Sequence, residues 1–202
     1  MSENSTKKKL LTLSPSNTIY PNEVAHIKKL CDIYEIECND RQYNEPTNIF
    51  ERLRLNGHSY NYIYLASDEI PNGFHDGNSI INWENFGNTL YEQKLVASDC
   101  VLFLACCRGG LRSIAHRIFK ACPNIASIMG PRWTVNGRDL TTAFQVILYN
   151  LEVRREQPSC AVKRASQATG YDFYHYDSAE IIDEIIYKSN FHDEQITEKL
   201  NT

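Results

Sequence analysis

No apolar run in this 202-residue chain approaches the ~20 residues that a membrane helix needs, so nothing reads as a transmembrane span. The opening stretch MSENSTKKKLLTL is basic, but it lacks the apolar segment of ~7–15 residues and the cleavage pattern of a secretion signal. Those two absences lead to the expectation of a cytoplasmic protein with no membrane partner. No Pro/Gly/Ser-rich linker and no internal repeat divides the chain. One domain is therefore expected over residues 9–189, preceded by a disordered arm (1–8) and followed by a polar tail (190–202). The formal charge of −4 is small and negative. It argues against broad nucleic-acid binding, and no nucleic-acid partner is expected.

Cysteine is not scarce, but paired cysteine motifs are missing. The seven are Cys31, Cys38, Cys100, Cys106, Cys107, Cys122 and Cys160, an odd number with no C-x-x-C among them. Histidines at metal-ligand spacing are absent as well, and Cys31 and Cys38 stand seven apart with no such partner. Free, mostly buried thiols are expected, with neither a disulfide framework nor a metal. The pair Gly109-Gly110 is far from a phosphate-binding loop or a dinucleotide fingerprint, so no cofactor is expected.

What is present is an alternation of strand and helix patterns. Strands are predicted at Lys9–Leu13, Glu35–Asp40, Tyr60–Ala66, Ser79–Asn82, Cys100–Ala105 and Ile125–Met129. Helices are predicted at Glu23–Tyr34, Thr47–Leu55, Trp83–Gln93, Leu111–Cys122, Asp139–Leu151, Ser159–Thr169 and Ala179–Ser189. Ser67–Asn78 reads as a polar loop, and the aromatic run Tyr171–Tyr176 as a patch for packing or contact. Alternating strands and helices imply a mostly parallel sheet with helices on both faces.

The run DCVLFLACCRGG at Asp99–Gly110 is the most informative segment. A buried strand, a glycine turn and a helix place Cys106 and Cys107 at the carboxyl edge of the sheet, where open α/β sheets keep their sites. The helix start and Arg108 would favour a thiolate there. Successive strand residues face opposite sides, so one of the two thiols is expected to be exposed, Cys107 rather than Cys106.

Two strand ends, Ala66-Ser67-Asp68-Glu69 and Ala105-Cys106-Cys107-Arg108-Gly109, resemble the caspase-like (clan CD) cysteine peptidases, within them the bacterial CHAT-domain branch. In that family one strand ends in a His-Gly pair and the next long strand in the nucleophilic cysteine. Ile128–Val135 (IMGPRWTV) is similar to the family's glycine–tryptophan segment, and Leu140–Leu151 and Ala161–Ala165 fit its pattern. The likeness covers Tyr60–Thr169 and implies a caspase-like three-layer α/β sandwich. Asp68-Glu69 stands where His-Gly is expected. The glycine three residues on selects Cys106, with Gly109, whereas the strand register selects Cys107.

The candidate site residues follow from that placement. Cys106 or Cys107 is the thiol. His75, in the loop over the same edge, is a displaced base or else a solvated histidine. Asp68, Glu69, Arg108, Gly109, Arg132 and Trp133 line the cleft, with Trp133 expected to pack beside it. Three functions compete. One is a degenerate peptidase acting as a regulatory or interaction module on a protein or peptide partner. The resemblance places such modules in bacterial defence. Another is an active cysteine peptidase using His75 and an oxyanion hole of backbone N–H groups around Gly109. The last is an anion binder built on Arg108, Arg112, Arg132 and Arg138.

Overall fold

Strands that are apolar on both faces need cover on both sides, and that requirement organises the molecule. A computed structural model describes residues 7–15, 21–42, 58–76 and 79–186. The strands are β1 (Lys9–Ser14), β2 (Glu37–Gln42), β3 (Tyr60–Ala66), β4 (Glu69–Ile70), β5 (Gly73–Asp76), β6 (Ser79–Asn82), β7 (Val96–Ala105), β8 (Ser127–Pro131) and β9 (Phe173–Asp177). The helices are α1 (Pro21–Ile33), α2 (Trp83–Glu92), α3 (Arg112–Ala121), α4 (Gly137–Glu152), α5 (Pro158–Thr169) and α6 (178–186).

Among the described residues six strands form one sheet in the order β2-β1-β3-β7-β8-β9. Every pairing is parallel except β8 with β9. Leu11, Leu13, Ile63, Leu65, Leu102 and Leu104 point to one face and pack with Phe86 and Leu90 of α2 and Ile114 and Ile118 of α3. Leu10, Tyr64, Phe103 and Met129 point to the other, against Ile27 of α1, Phe144 of α4 and Ala161 of α5. The result is a three-layer α/β sandwich, and no helix among the described residues is long and apolar enough to cross a membrane. β3 and β7 are direct parallel neighbours, with Ala66 opposite Ala105. Their carboxyl ends therefore finish side by side.

The structure departs from the sequence reading in three places. Ser67–Asn78 is not a plain loop. It contributes β4 and β5, which pair antiparallel with β6 in a separate small sheet. The signal is weak because β4 has only two residues and Gly73 must pass close to Ile81, whose carbonyl oxygen lies 1.9 Å from any added Cβ. The aromatic run does pack, with Phe173 and Tyr176 buried, but as the antiparallel edge strand β9 rather than as a patch. The helix predicted at Glu23–Tyr34 ends at Ile33, which is exposed although its apolar side chain at helical spacing from Val24, Ile27 and Leu30 points to burial. The predicted helix Thr47–Leu55 lies outside the described residues, as do residues 1–6 of the arm and all of 190–202. Residues 7 and 8 of the arm are described, and Lys8 pairs with Glu152 at 2.8 Å.

Candidate functional site at the carboxyl edge

The turn after β7 is held by its own backbone. Gly110 N–H donates to Pro131 O (2.8 Å), Gly109 N–H to Cys106 O (3.1 Å), and Leu111 N–H to Arg108 O (3.0 Å). Arg108 N–H makes a longer contact to Trp133 O (3.4 Å). The turn can lie this close to β8 only because glycines meet there. A Cβ on Gly110 would stand 2.2 Å from Gly130 O, and one on Gly109 2.7 Å from Leu104 O. Arg108 is held at φ 58°, a left-handed conformation that a residue with a Cβ adopts at a cost.

The two adjacent thiols are separated by this geometry. Cys106 is 2% exposed and packs on the α2/α3 face with Leu104. Burial pushes its thiol well up from the ordinary range, and the negative charges of Glu69, Cys107 and Asp68 add to that. A raised thiol at Cys106 fits the expectation that the exposed, reactive thiol of the pair would be Cys107 rather than Cys106. Cys107 is half-exposed. The oxyanion hole expected at Gly109 is corrected, since the N–H groups of Gly109 and Gly110 already donate to protein carbonyls.

The small sheet is tied to the end of β3 through His75. Its N–H donates to Asp68 O (3.1 Å), and Ser67 Oγ donates to its carbonyl oxygen (3.1 Å). Phe74 turns inward against Trp83 and Phe86, with ring centroids 5.3 Å apart in both cases. Neighbouring strand residues alternate, so His75 is half-exposed on the opposite face of β5. Among the described residues no hydrogen bond joins a histidine ring to Cys106 or Cys107. Glu69 is brought near Arg108, and burial raises its carboxyl while that guanidinium lowers it. Asp68, Glu69, Cys106, Cys107 and Arg108 therefore share one edge, with the backbone of His75 beside them.

Arg132 and Trp133 continue from β8, but Trp133 does not pack as expected. It is 56% exposed. The Arg132 guanidinium lies 5.3 Å from its ring and 5.2 Å from the Tyr174 ring, and donates to Tyr174 Oη at 2.9 Å. Trp133 thus stands outside the packed core on an arginine–aromatic stack. Arg112 pairs with Glu184 and Glu180, and Arg108 lies near Glu69. Among the described residues no three His, Cys, Asp or Glu side chains gather as a metal cluster.

The sequence reading missed one buried acid near this edge. Glu23, in the first turn of α1, is 3% exposed and accepts a hydrogen bond from Tyr64 Oη at 2.6 Å. Burial pushes its carboxyl from the ordinary 4.5 to about 7, partly offset by the Tyr64 bond. Its signal was legible: Glu23 lies on the same helical stripe as Ile27, Leu30 and Cys31, all buried.

No protein-family model matches the chain, and no curated protein matches it. Solved structures do. A chain of the Saccharomyces cerevisiae separase–securin complex superimposes with a TM-score of 0.50 at 13% identity, over 85% of this chain and 12% of that one. This protein thus spans about an eighth of the length of separase, and the likeness shows the fold, which is caspase-like. NAD+-bound 3-phosphoglycerate dehydrogenase of Entamoeba histolytica matches with a TM-score of 0.37 at 12% identity, over 75% of this chain and 41% of that one. At that score it carries no argument.

Proposed function

We propose that this caspase-like domain belongs with the CHAT branch and is a degenerate cysteine peptidase that works as a regulatory or interaction module. The observation that carries the reading is the end of β3. Asp68-Glu69 stands where the family resemblance expects a His-Gly pair, and among the described residues no hydrogen bond joins a histidine ring to either thiol at the end of β7. A carboxylate there is a poor base for a thiol near neutral pH, and here it raises the Cys106 thiol instead of activating it. The N–H groups of Gly109 and Gly110, spent on internal carbonyls, support the same reading.

The acidic pair Asp68 and Glu69 and the exposed stack of Arg132 and Trp133 supply a polar and aromatic surface for a protein or peptide, with the acids suited to a basic side chain. The separase match comes from a complex with securin, which is consistent with a protein partner on this fold. A bacterial defence setting is part of the same proposal and rests on the CHAT resemblance alone.

One observation favours an active enzyme instead. His75 is pinned beside Asp68, and Cys107 is half-exposed at the neighbouring strand end. A fluorogenic peptide library with basic and neutral residues before the cleaved bond separates the two readings. The degenerate reading expects no turnover above that of Cys107→Ala. Hydrolysis lost in both Cys107→Ala and His75→Ala replaces it with the peptidase reading.

A further inference from the structure

A second thiol site lies away from the carboxyl edge, where α1 turns into β2. Ile36 N–H donates to Cys31 O at 2.9 Å, and Glu35 takes a left-handed φ of 56° to make the bend. The chain then runs into β2 alongside β1, with Cys38 opposite Leu10. This folds Cys38 back onto Cys31, and both pack in the cluster that holds Leu10, Ile27, Leu30 and Ile36. The two side chains thus share one apolar cluster on the same face of the sheet. Cys31 is fully buried and Cys38 partly exposed, so a small oxidant reaches Cys38 first.

We propose that Cys38 and Cys31 form a peroxide-reactive dithiol, with Cys38 as the attacking thiol and Cys31 as the resolving one. The charge distribution agrees with these roles. Interaction with the Cys31 thiol holds the Cys38 thiol below its ordinary range, and the Lys28 ammonium and the Thr12 hydroxyl assist, against burial and Asp40. The same interaction raises the Cys31 thiol, and burial adds to it. In the first step Cys38 Sγ attacks one oxygen of hydrogen peroxide. An S–O bond forms, the O–O bond breaks, and hydroxide leaves and takes a proton to become water. The Cys31 thiol then loses its proton and attacks Cys38 Sγ. The S–S bond forms, the S–O bond breaks, and a second water leaves. The dithiol is oxidised by two electrons and the peroxide is reduced to two waters. The product ties the end of α1 to β2.

Both cysteines lie in one tryptic peptide, Leu30–Arg41, which makes the test direct. The full chain is exposed to dilute hydrogen peroxide, alkylated, unfolded, alkylated again and digested. The expected peptide carries no alkyl group, is lighter than the reduced peptide by two hydrogens, and regains two alkylation sites after dithiothreitol. In Cys31→Ala the sulfenic acid at Cys38 persists and is trapped by dimedone, and in Cys38→Ser Cys31 stays reduced. The wild-type map stands even if a variant folds poorly, which far-ultraviolet circular dichroism reports. The proposal is overturned if Leu30–Arg41 still takes two alkyl groups while the Cys107 or Cys160 peptides are oxidised. It is equally overturned if wild-type Cys38 accumulates as a trappable sulfenic acid without closing on Cys31.

Discussion

The turn after β7 and the connection from α1 to β2 each carry two cysteines, and tertiary packing treats the pairs in opposite ways. Cys106 and Cys107 are adjacent in sequence, yet one is sealed in the core and the other reaches the surface. Cys31 and Cys38 are seven apart, yet they pack in one apolar cluster. The first pair sits at the end of β7, where the chain turns from the core toward the surface. The second spans a helix end and a tight bend, which brings two distant side chains to one face of the sheet. Proximity in sequence thus measures backbone separation and says little about which side chains become partners.

The largest break in the comparison should come from Gly110→Ala. The first turn is seated on β8 through glycines, and the new methyl would meet Gly130 O. A loss of about 3 kcal/mol or more is expected in urea unfolding, by the cost of overpacking against backbone that cannot yield. A near-neutral result would mean that the turn is not locked and that its N–H groups are free to reorient.

Glu23 tests the other region, since α1 carries both this acid and Cys31. Its carboxyl is raised in the folded state, so the folded protein holds more protons than the unfolded chain between pH 4.5 and about 7. Stability therefore falls as pH rises through that window, and the loss is complete above it. Glu23→Gln should be nearly neutral at pH 4, and at pH 8 it should stabilise by up to about 3 kcal/mol. Thermal melts of both proteins at the two pH values check this, and equal effects at both would remove the buried-acid account.

Alkylation sharpens the contrast within the first pair. Iodoacetamide should modify Cys107 at least about tenfold faster than Cys106, because burial both blocks Cys106 and keeps it protonated. Equal protection of both sulfurs until the protein unfolds would end any role for a thiol at this edge. The smallest effect is a matched pair at the two bends. Arg108 and Glu35 both sit at positive φ, so Arg108→Gly and Glu35→Gly should each raise stability by about 1 kcal/mol or less. A gain at one bend but not the other would show that the second side chain has contacts of its own to lose.

Much of the architecture was legible because it rests on local patterns. The core of β7 is a continuous apolar run and Tyr60–Ala66 is aromatic and apolar apart from Asn61, the pattern of strands buried on both faces. The small sheet was not legible, because a two-residue strand has no period to read, and His75 entered a strand only through pairing with Ile80. Trp133 misled because its size argued for burial, whereas the chain leaves β8 there and stacks it on Arg132 at the surface.

By itself the sequence determined the alternation of strands and helices, the mostly parallel sheet, and the arrival of Cys106, Cys107, Asp68 and Glu69 at one sheet edge. These follow from hydrophobic period and from the direction of a parallel strand, both of which are local or topological. Only the tertiary structure decided that the Gly109 and Gly110 amides donate inward, that Glu23 is held against Tyr64, and that Cys31 and Cys38 pack in one cluster. Each of these depends on which surfaces exclude water and on ångström-scale approach between segments distant in the chain. Desolvation and close contact of that kind have no signature in a single segment's composition.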